Sequence, residues 1–311
     1  MLPQRRVTII GIAGDSGAGK STYVEHLKEL LGEDRVTVIT GDDYHSLDRV
    51  ERNKIGITAL DPWKANNLGL LVDHVWALKQ GQTIMKPIYD HTTGTFTGPE
   101  EIQPRDVVLI EGLHMFYLEK LREALDLKIY FDTDVSLRVR WKVRRDAGVR
   151  GYTEEQVLDE IERRKPDVQK FIEPQKAWAD LVIHYLPDHD HEPTEAVPEP
   201  IRVRVAERMK GRKRRLVKWL ALASRLGLIN ADHYHDEIAG EEMEIASIAG
   251  NTELSSMHSL LEMISDNHYI SHHMEELYYN PVSVSRLLVA NMISELAYNA
   301  KEDSFPSAQS V

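Results

Sequence analysis

Nine consecutive residues near the start of the chain carry the clearest chemical signature. They are Gly14, Asp15, Ser16, Gly17, Ala18, Gly19, Lys20, Ser21 and Thr22, of which the first eight match the spacing GxxxxGK[ST]. Glycines in such a run let backbone N–H groups turn towards a phosphate chain, the lysine ammonium reaches the terminal phosphates, and the serine hydroxyl can ligate Mg²⁺. The spacing therefore predicts a site for a nucleoside triphosphate and Mg²⁺. A chance glycine turn before a helix is the disfavoured alternative, because motif and context agree.

Three carboxylates follow apolar runs later in the chain. Asp42 and Asp43 come one glycine after the run 36–40, and Glu111 stands near the end of the run 107–112. Ligands of an open parallel sheet bind beyond the carboxyl ends of its strands, so these acids should face the phosphate loop. Either aspartate could take the proton of an alcohol acceptor, and the glutamate could hold Mg²⁺ or its water. The alternatives are a solvated turn for the aspartates and a helix cap for the glutamate.

Periodicity indicates the elements that must position these groups. Apolar, β-branched or alternating runs predict strands at residues 7–13, 36–40, 107–112, 127–132, 180–185 and 201–205. Helical spacing predicts helices at residues 22–32, 67–79, 135–147, 154–165, 216–228, 252–265 and 282–298. We expect the helix at 154–165 to end before Pro166, and residues 86–97 to form a loop or edge strand. The pattern indicates an α/β fold of the P-loop kinase type, with a mostly parallel, helix-flanked sheet and a mixed C-terminal extension.

Several segments in this order resemble phosphoribulokinase, in particular the branch found in plants and cyanobacteria. The resemblance covers residues 7 to about 187 and is carried by residues 42–49, 58–62, 86–94, 110–114, 145–146, 150–151, 164–167 and 174–176. It implies an ATP-dependent kinase that transfers the γ-phosphoryl group to the 1-hydroxyl of D-ribulose 5-phosphate. The products would be D-ribulose 1,5-bisphosphate, feeding a carbon-fixation pathway, and ADP. The resemblance also implies a homodimer.

The resemblance assigns roles that spacing alone leaves open. It implies that Asp42, rather than Asp43, is the catalytic base, and that Lys20, Arg145 and Asp146 also act in catalysis. It implies sugar-phosphate or lid contacts for His45, Arg49, Tyr89, His91, Lys142 and Arg150, and Mg²⁺ ligation by Ser21 and Glu111. The cations between 138 and 150 could otherwise form a solvated helix face. A lid is physically reasonable, because two polyanionic substrates need fixed positive charge and exclusion of water.

The sequence departs from the plant branch in two ways. Ala18 and Thr40 stand where that branch has regulatory cysteines, so disulfide switching by thioredoxin cannot operate. Residues 206–248 do not match the branch. These departures indicate a deep-branching, archaeal-like member, from an organism without plant-type light regulation.

Two other functions remain open at this stage. A uridine kinase-like nucleoside kinase shares the phosphate loop and an aspartate after the second strand, but has no acceptor phosphate that needs the cations near residues 45–49 and 89–91. A non-catalytic ATP-sensing regulator would be expected to lose Asp42, Glu111 or the lid arginines, and all are present.

The amino-acid composition limits the class of protein and the kinds of partner. The chain has 311 residues, a net charge of −12 and no cysteine, which disfavours a general affinity for nucleic acid and excludes thiolate metal sites and disulfides. No apolar run approaches the length of a membrane span, and no cleavage site follows the basic start, so we expect a cytoplasmic protein without membrane partners. The basic stretch 210–215 is interpreted as a solvated turn.

We predict a phosphate-loop core at 1–187, a connection at 188–200, a C-terminal α+β extension at 201–300 and a disordered tail at 301–311. The extension would pack on the core or on a second subunit. Six histidines in the last third match no known ligand spacing, and a metal site is disfavoured for them. They are His233, His235, His258, His268, His272 and His273.

Overall fold

The computed structural model describes residues 6–149, 151–191, 199–209, 216–264 and 280–302. Within them lie ten strands and nine α-helices. The strands are β1 (Thr8–Gly14), β2 (Val36–Thr40), β3 (Ile84–Asp90), β4 (Thr95–Ile102), β5 (Val107–Gly112), β6 (Leu127–Thr133), β7 (Leu181–Pro187), β8 (Ile201–Arg208), β9 (Ala231–Ile238) and β10 (Glu241–Ile248). The helices are α1 (Lys20–Leu31), α2 (Arg49–Lys54), α3 (Leu68–Lys79), α4 (Glu119–Ala124), α5 (Val135–Val149), α6 (Glu154–Asp167), α7 (Leu216–Arg225), α8 (Leu254–Ile264) and α9 (Pro281–Glu302).

One eight-stranded sheet organises the molecule, in the order β2-β5-β1-β6-β7-β8-β10-β9. Along this order, β2, β5, β1, β6 and β7 pair in parallel. Strands β8, β10 and β9 continue the sheet by antiparallel pairing. Strands β3 and β4 form a separate antiparallel hairpin. The carboxyl ends of β1, β2 and β5 therefore meet at one edge of the sheet, which is where ligands of such sheets bind.

Helices cover both faces of the sheet and leave its central strands buried. Residues of α1, α7, α8 and α9 share one apolar cluster with alternate residues of the strands. Residues of α3 and α4 cover the opposite face. In β1 all seven residues are buried, because side chains pointing to either face meet a helix layer.

The predicted fold class is confirmed, and β1, β2, β5, β6 and β7 lie within one or two residues of their predicted positions. The 86–97 segment is the β3–β4 hairpin, closed by a turn with Gly94 at φ +77°. The basic stretch 210–215 and most of the predicted tail lie outside the described residues, while α9 reaches Glu302.

Several local predictions were wrong or incomplete, and the short helices α2 and α4 were not predicted. Helix α6 runs through Pro166 to Asp167 and continues as a π-helical turn over Val168–Ile172 and a 3₁₀ segment over Glu173–Trp178. The helical conformation continues past Pro166 because it buries Val168 and Ile172 in a small cluster with Leu60. The segment 231–248, left without elements by the sequence, is the β9–β10 hairpin.

No helix among the described residues is both long enough and apolar enough to cross a bilayer.

Candidate active site

The phosphate loop connects β1 to α1 at the sheet edge where the parallel strands end. Gly14 has φ +149°, and a Cβ there would lie 2.5 Å from the carbonyl oxygen of Phe131 on β6. Gly19 caps α1 at φ +91°, in the left-handed region. The Lys20 side chain is buried, and its Nζ donates to the Asp15 carbonyl oxygen at 2.9 Å. Glycine is thus required by close approach at one end of the loop and by backbone conformation at the other.

Oxygen ligands suited to Mg²⁺ come together beside the loop. Ser21 Oγ donates to Glu111 Oε1 at 2.9 Å, and Thr40 Oγ1 lies 3.4 Å from the same oxygen. Burial raises the pKa of Glu111, and the Lys20 ammonium opposes that shift. The Ser21 hydroxyl at the start of α1 and the Glu111 carboxylate near the end of β5 are donor types that Mg²⁺ takes, so the residues present fit the ion.

Asp42 lies at the centre of a group of imidazoles. Its Oδ2 is 3.3 Å from His91 Nε2, and its Oδ1 is 3.9 Å from His45 Nε2. Burial acts to raise the pKa of Asp42, but the hydrogen bond to His91 and the charges of His45, His91 and Lys20 outweigh it and hold the pKa well below its usual range. The carboxylate is therefore ionised at neutral pH, and 33% of the side chain is exposed.

The orientation of His45 is fixed by Asn66. The Asn66 amide nitrogen donates to the carbonyl oxygens of Ala59 and Asp61, which leaves its Oδ1 to accept from His45 Nδ1 at 2.8 Å. Nδ1 is thus the protonated nitrogen, and Nε2 faces Asp42. Burial lowers the pKa of His45, and the Asp42 carboxylate partly offsets that effect. The Nε2 atom of His45 therefore faces Asp42 and the space beside it.

Asp43 has different surroundings although it is the next residue. Its side chain is 5% exposed, Oδ2 forms an ion pair with Lys86, and Oδ1 accepts from the Tyr89 backbone N–H at 2.8 Å. Both oxygens therefore anchor strand β3. Asp42, rather than Asp43, is the aspartate with an accessible carboxylate.

The β3–β4 hairpin and α2 form the wall next to Asp42. Arg52 is buried, and its Nη2 donates to the Tyr89 hydroxyl at 2.9 Å. The Tyr89 ring packs edge-on against His45 and His91. Arg49 Nη2 donates to the His91 carbonyl oxygen at 2.5 Å. All four predicted substrate residues of this region thus lie on one wall, with Tyr89 acting mainly as its buried support.

Helices α5 and α6 bring cations over the phosphate loop. Arg138 Nη1 lies 2.8 Å from Asp15 Oδ2, and Arg164 Nη2 lies 3.9 Å from Asp15 Oδ1. Lys142 is 4% exposed, with its Nζ 3.5 Å from Glu160 Oε1. Burial, together with the neighbouring Arg164, lowers the pKa of Lys142 to about 8. The group can therefore lose its charge in a mildly alkaline solution.

The predicted lid residues are described only in part. Arg145 Nε donates to the buried Asp146 carboxylate at 2.8 Å, so these two residues form an ion pair. Arg150 lies outside the described residues. The structure thus joins Arg145 to Asp146 and brings Lys142 to the loop.

Several residues of this region were not selected as site residues from the sequence. Lys86 and Arg164 fall within the segments that resemble phosphoribulokinase, so that signal could have identified them. Arg52 and Asn66 act through contacts with residues 21 or more positions away, which no local pattern encodes. His114 is buried near His45, and burial lowers its pKa to about 4.

A glycine loop between β1 and α1, with Asp42 just after β2 and Glu111 near the end of the adjacent β5, defines a P-loop kinase fold. The chain belongs to the phosphoribulokinase / uridine kinase family, whose sequence profile matches residues 9–192. It is 49% identical to a phosphoribulokinase of Synechocystis sp. over 65% of this chain and 60% of that protein. It is 35% identical to a uridine kinase of Clostridium perfringens over 58% of this chain and 88% of that protein.

The match with the Synechocystis protein spans less than two thirds of that relative's length. Among solved structures, the phosphoribulokinase from Rhodobacter spheroides superposes with a TM-score of 0.58 at 18% identity, covering 93% of this chain and 99% of that one. That likeness extends the shared fold beyond the matched kinase segment to the C-terminal strands and helices.

Proposed function

We propose that this protein is an ATP-dependent phosphoribulokinase, which transfers the γ-phosphoryl group of ATP to the 1-hydroxyl of D-ribulose 5-phosphate. The observation that carries the proposal is that His45, His91 and Arg49 lie around an accessible Asp42, next to the phosphate loop. A sugar phosphate brings both a hydroxyl and a phosphate to such a site, and the carboxylate and the cations match those two groups. The higher identity to a phosphoribulokinase than to a uridine kinase supports the same choice.

The phosphate loop and its neighbours would bind the nucleotide. Lys20, now donating to the Asp15 carbonyl, can turn to the β- and γ-phosphates, and the backbone N–H groups of the loop can surround them. Ser21 and Glu111 would hold Mg²⁺, which supplies charge neutralisation of the phosphates when bound. The Thr40 hydroxyl would keep the Glu111 carboxylate oriented.

Asp42 would accept the proton of the attacking 1-hydroxyl. Its low pKa keeps it ionised but makes it a weak base, so its main contribution is to orient the hydroxyl towards the γ-phosphorus, and the proton transfers as the P–O bond forms. His45 Nε2 and His91 Nε2 flank the carboxylate and would hold it and the sugar hydroxyls in position. Arg49 would bind the 5-phosphate of the acceptor.

The cations of α5 and α6 would complete the site. Arg138 and Arg164 now neutralise Asp15, and together with Lys142 they lie close to where the nucleotide phosphates would enter. Arg145 and Arg150 would add charge stabilisation during transfer, with Asp146 orienting Arg145. Such fixed cations stabilise charge that develops in the transition state.

The test is ADP release by the purified full chain with Mg²⁺ and ATP, comparing D-ribulose 5-phosphate, uridine and no acceptor. Release that depends on D-ribulose 5-phosphate supports the proposal. Release with uridine alone would assign a nucleoside kinase, and tight ATP binding without release would assign an ATP-sensing regulator. The homodimer expected from the family resemblance can be checked by analytical ultracentrifugation of the same sample.

A further inference from the structure

Two histidines and a glutamate meet at the edge of the sheet far from the phosphate loop. His233 and His235 are two residues apart on β9, so their side chains project from the same face. Glu244 on β10 pairs directly with His235 in the strand register. Among the described residues, this is the only group of three or more histidine, cysteine or acidic side chains arranged to hold a metal ion.

The distances in this group fit a transition-metal ion. One potential ligand atom from each residue lies within 4.8 Å of the others, and His233 Nε2 is 3.0 Å from Glu244 Oε1. Ligand atoms of a tetrahedral zinc site lie about 3.3 Å apart, since each is about 2.0–2.2 Å from the metal. Both histidines are exposed, so small side-chain rotations can close the remaining gap without moving the backbone.

The surroundings favour a cation. Glu244 is 8% exposed, and its register partner on β8 is the equally buried Glu207, which accepts from the Val217 N–H at 3.2 Å. The two carboxylates lie side by side on one face of the sheet, and a cation bound to Glu244 lowers their mutual repulsion. The neighbouring His233 Nε2 donates a hydrogen bond to Glu244 Oε1 at 3.0 Å.

We propose that His233, His235 and Glu244 form a binding site for a divalent transition-metal ion of the zinc class. Two imidazoles and one carboxylate suit such an ion, whereas Mg²⁺ and Ca²⁺ prefer oxygen ligands throughout. Three protein ligands leave a fourth position for water. The ion ties the edge strand β9 to β10 by side-chain ligation, in addition to their backbone hydrogen bonds.

The site is independent of the proposed kinase activity. Five strand spacings separate β9 from β1 in the sheet order, a distance of about 24 Å. The group therefore lies at the opposite end of the sheet from β2, which precedes Asp42. Metal binding and phosphoryl transfer can therefore be tested separately.

The experiment is a zinc titration of the full chain after chelator treatment, with a chromogenic chelator as competitor. We expect wild type to bind one more equivalent of Zn²⁺ than His235→Ala, or to bind that equivalent at least about tenfold more tightly. Saturating Zn²⁺ should also raise the thermal midpoint of wild type by about 3 °C, and that of His235→Ala by less.

His258→Ala is the matched control, because His258 is an exposed histidine on α8 outside the group. It should bind zinc as wild type does. Circular dichroism of both variants checks that they are folded. Equal zinc stoichiometry and affinity in wild type and His235→Ala would overturn the proposal, because the zinc that binds would then not depend on His235.

Discussion

Asp42 and Asp43 are identical in type and adjacent in sequence, so the difference between them lies entirely in what each contacts. Both carboxylate oxygens of Asp43 already have partners, one in the buried ion pair with Lys86 and the other in the hydrogen bond from the Tyr89 backbone N–H. Asp42 remains partly exposed between two imidazoles. The choice of base that spacing leaves open, and that the family resemblance assigns to Asp42, thus gains a physical argument from the folded chain.

This difference leads to a prediction that separates activity from stability. Asp42→Asn should lower kcat by at least about 100-fold with little change in the free energy of unfolding, because the loss falls on proton acceptance and hydroxyl orientation. Asp43→Asn should instead lower the free energy of unfolding by about 3 kcal/mol, because it removes the carboxylate that pairs with the buried Lys86. Steady-state kinetics and urea unfolding measure the two quantities.

The control for both variants is Asp73→Asn, which changes an exposed aspartate on α3. It should leave both quantities unchanged. Equal losses of kcat in Asp42→Asn and a stably folded Asp43→Asn would contradict the assignment of the base.

Lys142 predicts a pH dependence of activity. Its pKa of about 8 means that the side chain is charged below that pH and neutral above it. If its charge helps to bind phosphate, kcat/KM for ATP should fall as the pH rises above about 8, and Lys142→Arg should move that fall to higher pH because a guanidinium stays protonated. The measurement is a pH profile of kcat/KM for ATP from pH 6.5 to 9.5 for both proteins. If kcat/KM falls at the same pH in both, the charge of Lys142 does not help to bind phosphate.

At the scale of elements, the β3–β4 hairpin is the unit that delivers Tyr89 and His91 to the site. Its turn is fastened to α2, because the Arg49 N–H donates to the Gly94 carbonyl oxygen at 2.9 Å. Gly94 has φ +77°, and a Cβ there would lie 2.8 Å from Arg49 Nε. The turn therefore leaves no room for a larger residue.

Gly94→Ala should displace Arg49 and the hairpin, and so raise the KM for the sugar phosphate by about tenfold while the KM for ATP stays within about twofold of wild type. Gly98→Ala, on β4 of the same hairpin, has no atom within 4 Å of its added Cβ and should behave as wild type. Initial-rate measurements with each substrate varied in turn decide the point. A parallel rise in both KM values would show that the hairpin does not act on the acceptor alone.

The sequence predicted elements where their signals are local. The phosphate loop is a contiguous motif, and β1, β2 and β5 are short apolar or β-branched runs, so all of them were predicted. Strand β9 was missed because it is a polar edge strand in which most side chains on both faces are exposed, so it shows no alternation. The arrangement of Asn66 and Arg52 depends on contacts between segments distant in sequence, and only the folded chain reveals it.

For the whole molecule, the main feature is that the C-terminal third shares the sheet and the core of the kinase segment. Strand β8 pairs with β7 along seven residues, and α9 packs in the same apolar cluster as α1. Residues 1–187 and 201–300, which we propose as core and extension, are therefore joined by a continuous layer of side chains. Such an arrangement should unfold as one cooperative unit.

A substitution in α9 tests this cooperativity. Leu287 is fully buried, and Leu287→Ala should lower the free energy of unfolding by about 2–5 kcal/mol in a single transition seen by both tryptophan fluorescence and circular dichroism. Leu222→Ala on α7, where the side chain is 43% exposed, should change it by less than about 1 kcal/mol. Two separate transitions, with only one shifted by Leu287→Ala, would mean that the extension unfolds by itself.

The contact between α1 and α9 also bears on how the chain is made. Tyr23, three residues after the lysine of the phosphate loop, donates its hydroxyl hydrogen to Ser285 Oγ at 3.5 Å across 262 positions of sequence. At typical rates of about 5–20 residues per second, a ribosome needs roughly 13–50 s to synthesise that interval. During this time the apolar side of α1 has no α9 to cover it. The nascent chain therefore carries the phosphate loop long before its supporting helix exists, and the packing between α1 and α9 can form only after α9 has been synthesised.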